Sequence, residues 1–171
     1  IGYGGFVGSN LVEQLDFEYY FDRKNIHEIE FIKHDVVYCC GISANKSWAN
    51  KNEDEDMANI NSLITSIKNI ECNKFVLIST IDVFLHVENT VYGRNRIYAE
   101  YKLREIFDDK FYISRLPAVF GNNLKKNILF DLINKKFYGR VNLANQYQWY
   151  NVNNLGKDIT LQLQTNTKWR N

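Results

Sequence analysis

This sequence predicts an α/β fold in which a parallel sheet is covered by helices on both faces. Three observations predict it. Short, continuously apolar runs, VVYCCG at 36–41 and KFVLIST at 74–80, have the pattern of strands buried on both sides. Segments with a helical period alternate with those runs along the chain. The chain also opens on a glycine turn, IGYGGFVG, that leads directly into a helical pattern.

Taken in order, Ile1 reads as the last residue of a first strand, because a turn of this type links a strand to a helix. Phe6, Val7, Leu11, Val12 and Leu15 then recur at helical spacing. FEYYF at 17–21, aromatic-rich and closed by Asp22-Arg23-Lys24, reads as the next strand. VVYCCG follows, stopped by Gly41. The charged segment 48–57 reads as a loop running into a helix whose stripe is Ile60, Leu63, Ile64, Ile67 and Ile70. After KFVLIST come a helix over 98–107, a strand over 110–116, a helix over 128–135 and a late strand over 148–152. A last helix starts after Asn153 or Asn154, and Tyr92 falls outside any helix. The expected division is a dinucleotide-binding domain over 1–116, with its first strand truncated. A partial substrate-binding lobe over 117–171 is interleaved with late sheet elements. The sequence has no initiator Met and one proline in 171 residues. Prolines concentrate in loops, so it reads as a piece of a longer protein with loops absent.

Composition excludes some classes of partner. With 21 basic and 20 acidic side chains, no net field points to nucleic acid or a membrane surface. No apolar run approaches the ~20 residues of a membrane span. Three cysteines, two of them adjacent at Cys39 and Cys40, lack a disulfide framework and suggest reduced thiols in a cytoplasmic protein. No metal-ligand spacing is present, and His27, His34 and His86 are scattered.

The glycine turn carries the first chemistry. In such a fold one glycine permits the turn, one admits a pyrophosphate to the backbone, and one lets helix and strand pack closely. The amides of the helix N-terminus then hold the anion. Asp22, at the end of the following strand, would take adenosine ribose hydroxyls and select NAD; Arg23 and Lys24 would instead pair with a 2′-phosphate and select NADP. A carboxylate repels phosphate, which favours NAD. A solvated turn is the plain alternative.

The second chemistry lies in YGRNRIYAEYKLREIF. Tyr98 and Lys102 are four apart, so a helix puts both on one face. A phenol titrates near 10, and an ammonium one turn away together with a nicotinamide cation would bring it into acid–base range. Ser79 and Thr80 end a parallel strand at its carboxyl edge, where ligands bind in such sheets. Lys125 and Lys126 could face a diphosphate or form a solvated helix end. Trp48, Trp149 and Trp169 could stack on a ring or be buried.

With the glycine turn, the strand-end Ser-Thr and Tyr-x-x-x-Lys in that order, the chain resembles the extended short-chain dehydrogenase/reductases. These are the NAD-dependent epimerase/dehydratase family that modifies nucleotide sugars, and the likeness runs from Gly2 to about Asp158. GYGGFVG matches the family's glycine motif, implying that Gly2, Gly5, Phe6, Val7 and Gly8 meet the cofactor. VVYCCG sits where a strand ending in small residues passes the adenosine, at Cys40 and Gly41. NINSLITSIKN resembles the helix whose asparagine, here Asn59, supports the active site. ISTIDVF puts Thr80 in the catalytic hydroxyl position. YAEYK makes Tyr98 the acid–base residue and Lys102 its partner and ribose contact. SRLPAVFGN resembles the Arg-x-Pro-x-x-x-Gly segment, whose proline, Pro117, lies beside the nicotinamide. QWYNVNNLGKDI resembles the late strand and helix.

The resemblance implies a Rossmann-type doubly wound fold, an NAD(P)(H) cofactor, a nucleotide-sugar substrate and a homodimer formed through two helices. Apolar Ile97, Leu103 and Phe107 would permit that dimer. Hydride would pass between a sugar carbon and C4 of the nicotinamide while Tyr98 moves the hydroxyl proton. The interval from Thr80 to Tyr98 is short for the family. Family dehydratases carry two acids after the hydroxyl; here Ile81 leaves only Asp82, a candidate substrate contact, so reduction or epimerisation is favoured over dehydration. The alternative is a catalytically inactive dinucleotide-binding regulator or scaffold of the same fold. A flavodoxin-like or P-loop protein would need a phosphate motif that this sequence lacks.

Overall fold

Apolar runs and helical stripes segregate as the alternation requires in the computed structural model, which describes residues 1–84, 90–136, 144 and 146–170. In chain order the elements are α1 (Phe6–Val12), β1 (His34–Cys39), α2 (Lys46–Ala49), α3 (Glu53–Ile67), β2 (Cys72–Thr80) and α4 (Val91–Phe107). They continue as β3 (Phe111–Leu116), β4 (Ala118–Phe120), α5 (Ile128–Ile133), β5 (Trp149–Asn151), α6 (Leu155–Gln164) and β6 (Trp169–Arg170). One parallel sheet has the order β1-β2-β3-β6, and β4 pairs in parallel with β5 in a second, two-stranded sheet.

The strand period of two explains both cores. On β2, Phe75 and Leu77 face one way and join Val37, Cys39, Ile67, Leu103 and Phe107 beneath α3 and α4. Val76 faces the other way and meets Leu11, Leu155 and Ile159 beneath α1 and α6. Helices therefore cover both faces, as a doubly wound fold demands. The rings of Phe75 and Phe107 stack at 3.9 Å between centroids, tying α4 to the sheet. Burying such a ring stabilises the fold by about 2–3 kcal/mol.

Four differences from the sequence reading have physical reasons. Residues 17–21 do not form a strand; the extended chain there makes one ladder-like bond, from Gly2 N to Phe21 O at 2.8 Å. Ile1 does lie beside β1, its amino group donating to Tyr38 O at 2.7 Å and its carbonyl accepting from Cys40 N at 3.0 Å. The charged segment after Trp48 is largely helix: Glu53, Asp54, Glu55 and Asp56 fill the first turn of α3, where carboxylates are favoured by the helix dipole. Most consequentially, α4 begins at Val91 rather than 98. Thr90 caps it, with Oγ1 accepting from Gly93 N at 3.2 Å. Tyr92 is thus inside the helix. The short β4 and β6 carry no apolar run long enough to announce them.

Because β1, β2 and β3 are parallel, their carboxyl ends share one edge. Cys40-Gly41, Thr80 and Pro117 all emerge there.

Candidate active site

The glycine loop meets that edge backbone to backbone. Gly2 has φ +76°, and a Cβ on it would stand 2.7 Å from Cys40 O. A Cβ on Gly8 would stand 2.3 Å from Gly2 O. Both positions therefore require glycine, one by conformation and closeness, the other by closeness alone. Gly5 is the N-cap of α1, and no side-chain cap bond is made there. This cradle fits the diphosphate of a dinucleotide, which needs exposed amides and no Cβ in the way. Burial pushes the Cys40 thiol up to about 12, so what Cys40 offers the loop is its carbonyl.

Asp22 sits next to the cradle through the Gly2–Phe21 bond. Its Oδ1 accepts from Lys24 N at 2.7 Å, and its own amide donates to Asn25 Oδ1 at 2.8 Å, which fixes the turn. Arg23 reaches the other way, its Nη2 donating to Asn59 Oδ1 at 3.4 Å. Asn59 is exposed on α3.

At the end of β2, Thr80 Oγ1 donates to Asp82 Oδ2 at 3.3 Å and accepts from the Asp82 amide at 3.1 Å. Asp82 also pairs with Lys46 of α2 at 2.7 Å. Ser79 points elsewhere: its hydroxyl donates to Glu100 Oε1 at 2.5 Å. Glu100 in turn holds Arg115 of β3, with Nη2 to Oε2 at 2.8 Å. That network braces α4, β2 and β3 beneath the edge.

Tyr98 and Lys102 share a face of α4, and each has a hydrogen-bond partner of its own. The Tyr98 hydroxyl donates to Asn61 Oδ1 of α3 at 2.9 Å. Lys102 pairs with Glu105 at 2.9 Å, and that hydrogen bond, with the Glu105 charge, raises the lysine's pKa. The first turn of α4, not the second or third, lies against the edge: a Cβ on Gly93 would stand 3.1 Å from Asp82 O. Tyr98 follows Tyr92 by six residues, about 9 Å along the helix axis.

Tyr92 lies in the first turn of α4, next to Gly93. It is 5% exposed, its amide donates to Asn50 Oδ1 at 2.9 Å, and its phenol lies within electrostatic reach of Asp82. Burial raises its pKa above the usual value; the Arg96 guanidinium pulls it down, and the Asp82 charge pushes it up. Arg96 follows it by one turn and stands 4.3 Å over its ring. Tyr92 and Arg96 have the same four-residue spacing as Tyr98 and Lys102, with arginine in place of the lysine. The signal was present: Thr90 followed by an uninterrupted helical register starts α4 early enough to include them. Of the remaining candidates, Pro117 follows β3 at the edge, Lys126 donates to Asn45 Oδ1 at 2.6 Å, and His86 lies outside the described residues.

No protein-family model matches the chain, and no curated protein matches it in sequence. Solved structures do match in fold. The capsular polysaccharide assembling protein CapF from Staphylococcus aureus superposes with TM-score 0.59 at 19% identity, over 95% of this chain and 48% of that one. A UDP-glucose 4-epimerase from Thermotoga maritima, solved with UDP-glucose, gives 0.69 at 13% identity, over 95% and 71%. A UDP-glucuronic acid 4-epimerase mutant from Bacillus cereus, solved with a fluorinated UDP-glucuronic acid analogue and NAD, gives 0.66 at 15% identity, over 95% and 70%. This chain spans about half of the first and about seven-tenths of the other two. Its Rossmann-type architecture is the one these epimerases have.

Proposed function

We propose that the chain is the core of an NAD(P)-dependent oxidoreductase-type enzyme acting on a nucleotide sugar. The observation that carries this reading is the cradle: Gly2 and Gly8 leave no room for a Cβ at the same sheet edge where Thr80 and Tyr92 stand. Structures of the same fold hold NAD or a UDP-sugar, which supports both ligand classes. Gly2, Gly5, Phe6, Val7 and Gly8 would hold the diphosphate, and Cys40-Gly41 would line the adenosine side. Pro117 would border the nicotinamide. Asp22 would take the ribose hydroxyls; with Arg23 turned toward Asn59, NAD is favoured over NADP.

When bound, the nicotinamide supplies or accepts a hydride. Thr80 orients the reacting oxygen of the sugar, and Tyr92 moves its proton. Asp82, tied to Thr80, fixes the hydroxyl's orientation. This role was expected of Tyr98 and is assigned here to Tyr92 because α4 begins at Val91. The chemistry is reduction or epimerisation, since a single carboxylate follows Thr80. A homodimer, a cytoplasmic location and the division into residues 1–116 and 117–171 belong to the same proposal, although Leu103 and Phe107, expected to permit the dimer, are buried in the core against β2 and leave only Ile97 of the three partly exposed. Among the described residues no helix is long and apolar enough to cross a membrane.

The test is to measure NADH binding and nicotinamide turnover separately in Tyr92→Phe and Tyr98→Phe, with UDP-sugars as substrates. Loss of a general acid–base group costs about 10²–10⁴-fold in rate. That loss should fall on Tyr92→Phe with binding kept, while Tyr98→Phe stays within a few-fold. The reverse pattern would restore Tyr98 to the site. Binding without turnover in the unaltered chain would favour a dinucleotide-binding regulator, a reading consistent with an arginine committed to Asp56 in place of a lysine.

A further inference from the structure

A buried ion pair stands beside Tyr92. The side chains of Arg96 and Asp56 are 3% and 2% exposed. The guanidinium is bidentate, with Nη1 donating to Oδ2 at 2.7 Å and Nη2 to Oδ1 at 3.0 Å. Asp56 Oδ2 also accepts from Asn95 Nδ2 at 2.9 Å, and Arg96 Nη2 donates to Ser43 O. The pair joins α3 to α4 at the mouth of the sheet and fixes where the guanidinium lies over the Tyr92 ring. Asp56 offsets part of the Arg96 charge at the phenol, where the guanidinium still lowers the pKa and the carboxylates raise it.

We propose that Asp56 is a positioning residue that holds Arg96 against Tyr92 and offsets its charge there, so that Tyr92 works as a neutral proton donor and not as a phenolate base. The inference rests on the reading of Tyr92 as the acid–base group and deepens it. Among the described residues the charged groups around the phenol agree. From α4 comes Arg96, from α3 its partner Asp56, from the 3₁₀ turn at Ile81–Phe84 comes Asp82, and from α2 comes Lys46, itself paired with Asp82 at 2.7 Å. Among the described residues, Arg96 is matched by Asp56 and Lys46 by Asp82. Burial, with the Asp82 charge behind it, keeps the proton on the oxygen against the pull of Arg96.

A phenol that keeps its proton suits the reducing direction. A carbonyl carbon of the substrate takes a hydride from a reduced nicotinamide dinucleotide, and the C=O π pair moves onto oxygen. That oxygen takes the Tyr92 proton. An alcohol, the oxidised dinucleotide and a Tyr92 phenolate result, and the phenolate regains its proton from water.

The experiment is a pH titration of the ligand-free chain by NMR of tyrosine labelled with ¹³C at Cζ, with Tyr92→Phe assigning the resonance. Tyr92 should remain protonated from neutral pH to above its ordinary value near 10. Asp56→Asn uncovers the Arg96 charge and should lower the Tyr92 midpoint by about one pH unit or more, tenfold in acidity. If that variant does not fold, Asp56→Asn with Arg96→Met decides, because removing both charges should leave the midpoint within about half a unit of the parent. A parent midpoint below about 9, an unmoved midpoint in Asp56→Asn, or a rise of more than about one unit in the double variant overturns the proposal. A merely structural ion pair would change stability and leave the titration in place. The readout needs no cofactor, so failure to bind NADH would sink the proposed function and not this inference.

Discussion

Replacing Gly8 by alanine tests the cradle with one methyl group. That methyl would lie 2.3 Å from Gly2 O, 2.9 Å from Tyr3 Cα and 3.0 Å from Gly2 C, all backbone atoms that no rotamer change can move. Carbon contacts are comfortable at about 3.5–4.0 Å. The glycine loop and α1 must therefore separate by about 1 Å. Overpacking of this kind costs about 1–3 kcal/mol, and each kcal/mol lowers Tm by about 2–4 °C in a domain of this size. The same separation pulls the loop amides off a bound diphosphate. A loss of about 1.4 kcal/mol there is tenfold in Kd. Gly4 supplies the control, because a Cβ there meets nothing within 4 Å. Thermal melting and NADH fluorescence titration of both variants are the assays. Gly8→Ala should melt lower and bind at least about tenfold more weakly, while Gly4→Ala should match the parent in both. Unchanged melting and binding in Gly8→Ala, or equal damage from Gly4→Ala, would refute the reasoning.

Three further outcomes follow from the buried charges. Asp56→Ala leaves Arg96 without its counter-charge and should cost about 3–5 kcal/mol by urea unfolding, whereas Asp56→Ala with Arg96→Ala should cost less than the sum of the two single changes. Glu100→Gln weakens the bonds to Arg115 and Ser79 and should cost about 2 kcal/mol by the same measurement. In acid, burial alone would raise the Asp56 carboxyl, but the Arg96 and Asn95 hydrogen bonds and the Arg96 charge hold it below its usual 3.8. The unfolded chain then takes up the proton first, so Asp56 stabilises the fold above the unfolded value. That contribution fades as pH falls below the unfolded value and is gone once pH passes the folded one. Urea midpoints measured from neutral pH into this range should fall more steeply for the parent than for the variant lacking both charges.

The architecture was legible in the sequence because burial on both faces leaves a strand no polar positions to hide it; VVYCCG and KFVLIST could be little else. The glycine turn was equally legible, since closeness at Gly2 and Gly8 admits no other residue. One feature misled, and another fits two positions. FEYYF has strand composition, but pairing is a property of neighbours, and among the described residues its one backbone ladder bond runs to Gly2 while its rings meet His34 and Tyr38 of β1. Tyr98 and Lys102 satisfied a spacing rule that the helix also satisfies six residues earlier. Spacing along a helix says which residues share a face, not which face meets the sheet edge. That was decided by where α4 begins, and a single threonine cap sets it. Arginine at position 96 hid the earlier pair from a search for lysine, and its partner, Asp56, lies 40 residues away in the chain.

The central claim is that one edge of the sheet holds a nicotinamide dinucleotide against a nucleotide sugar. Mass spectrometry of the small molecules released when the purified protein is denatured tests it most directly. The account predicts an adenine dinucleotide, NAD in preference to NADP, accompanied by a sugar linked to a nucleoside diphosphate. Release of neither, with no binding when NADH and a UDP-sugar are added back, would contradict it.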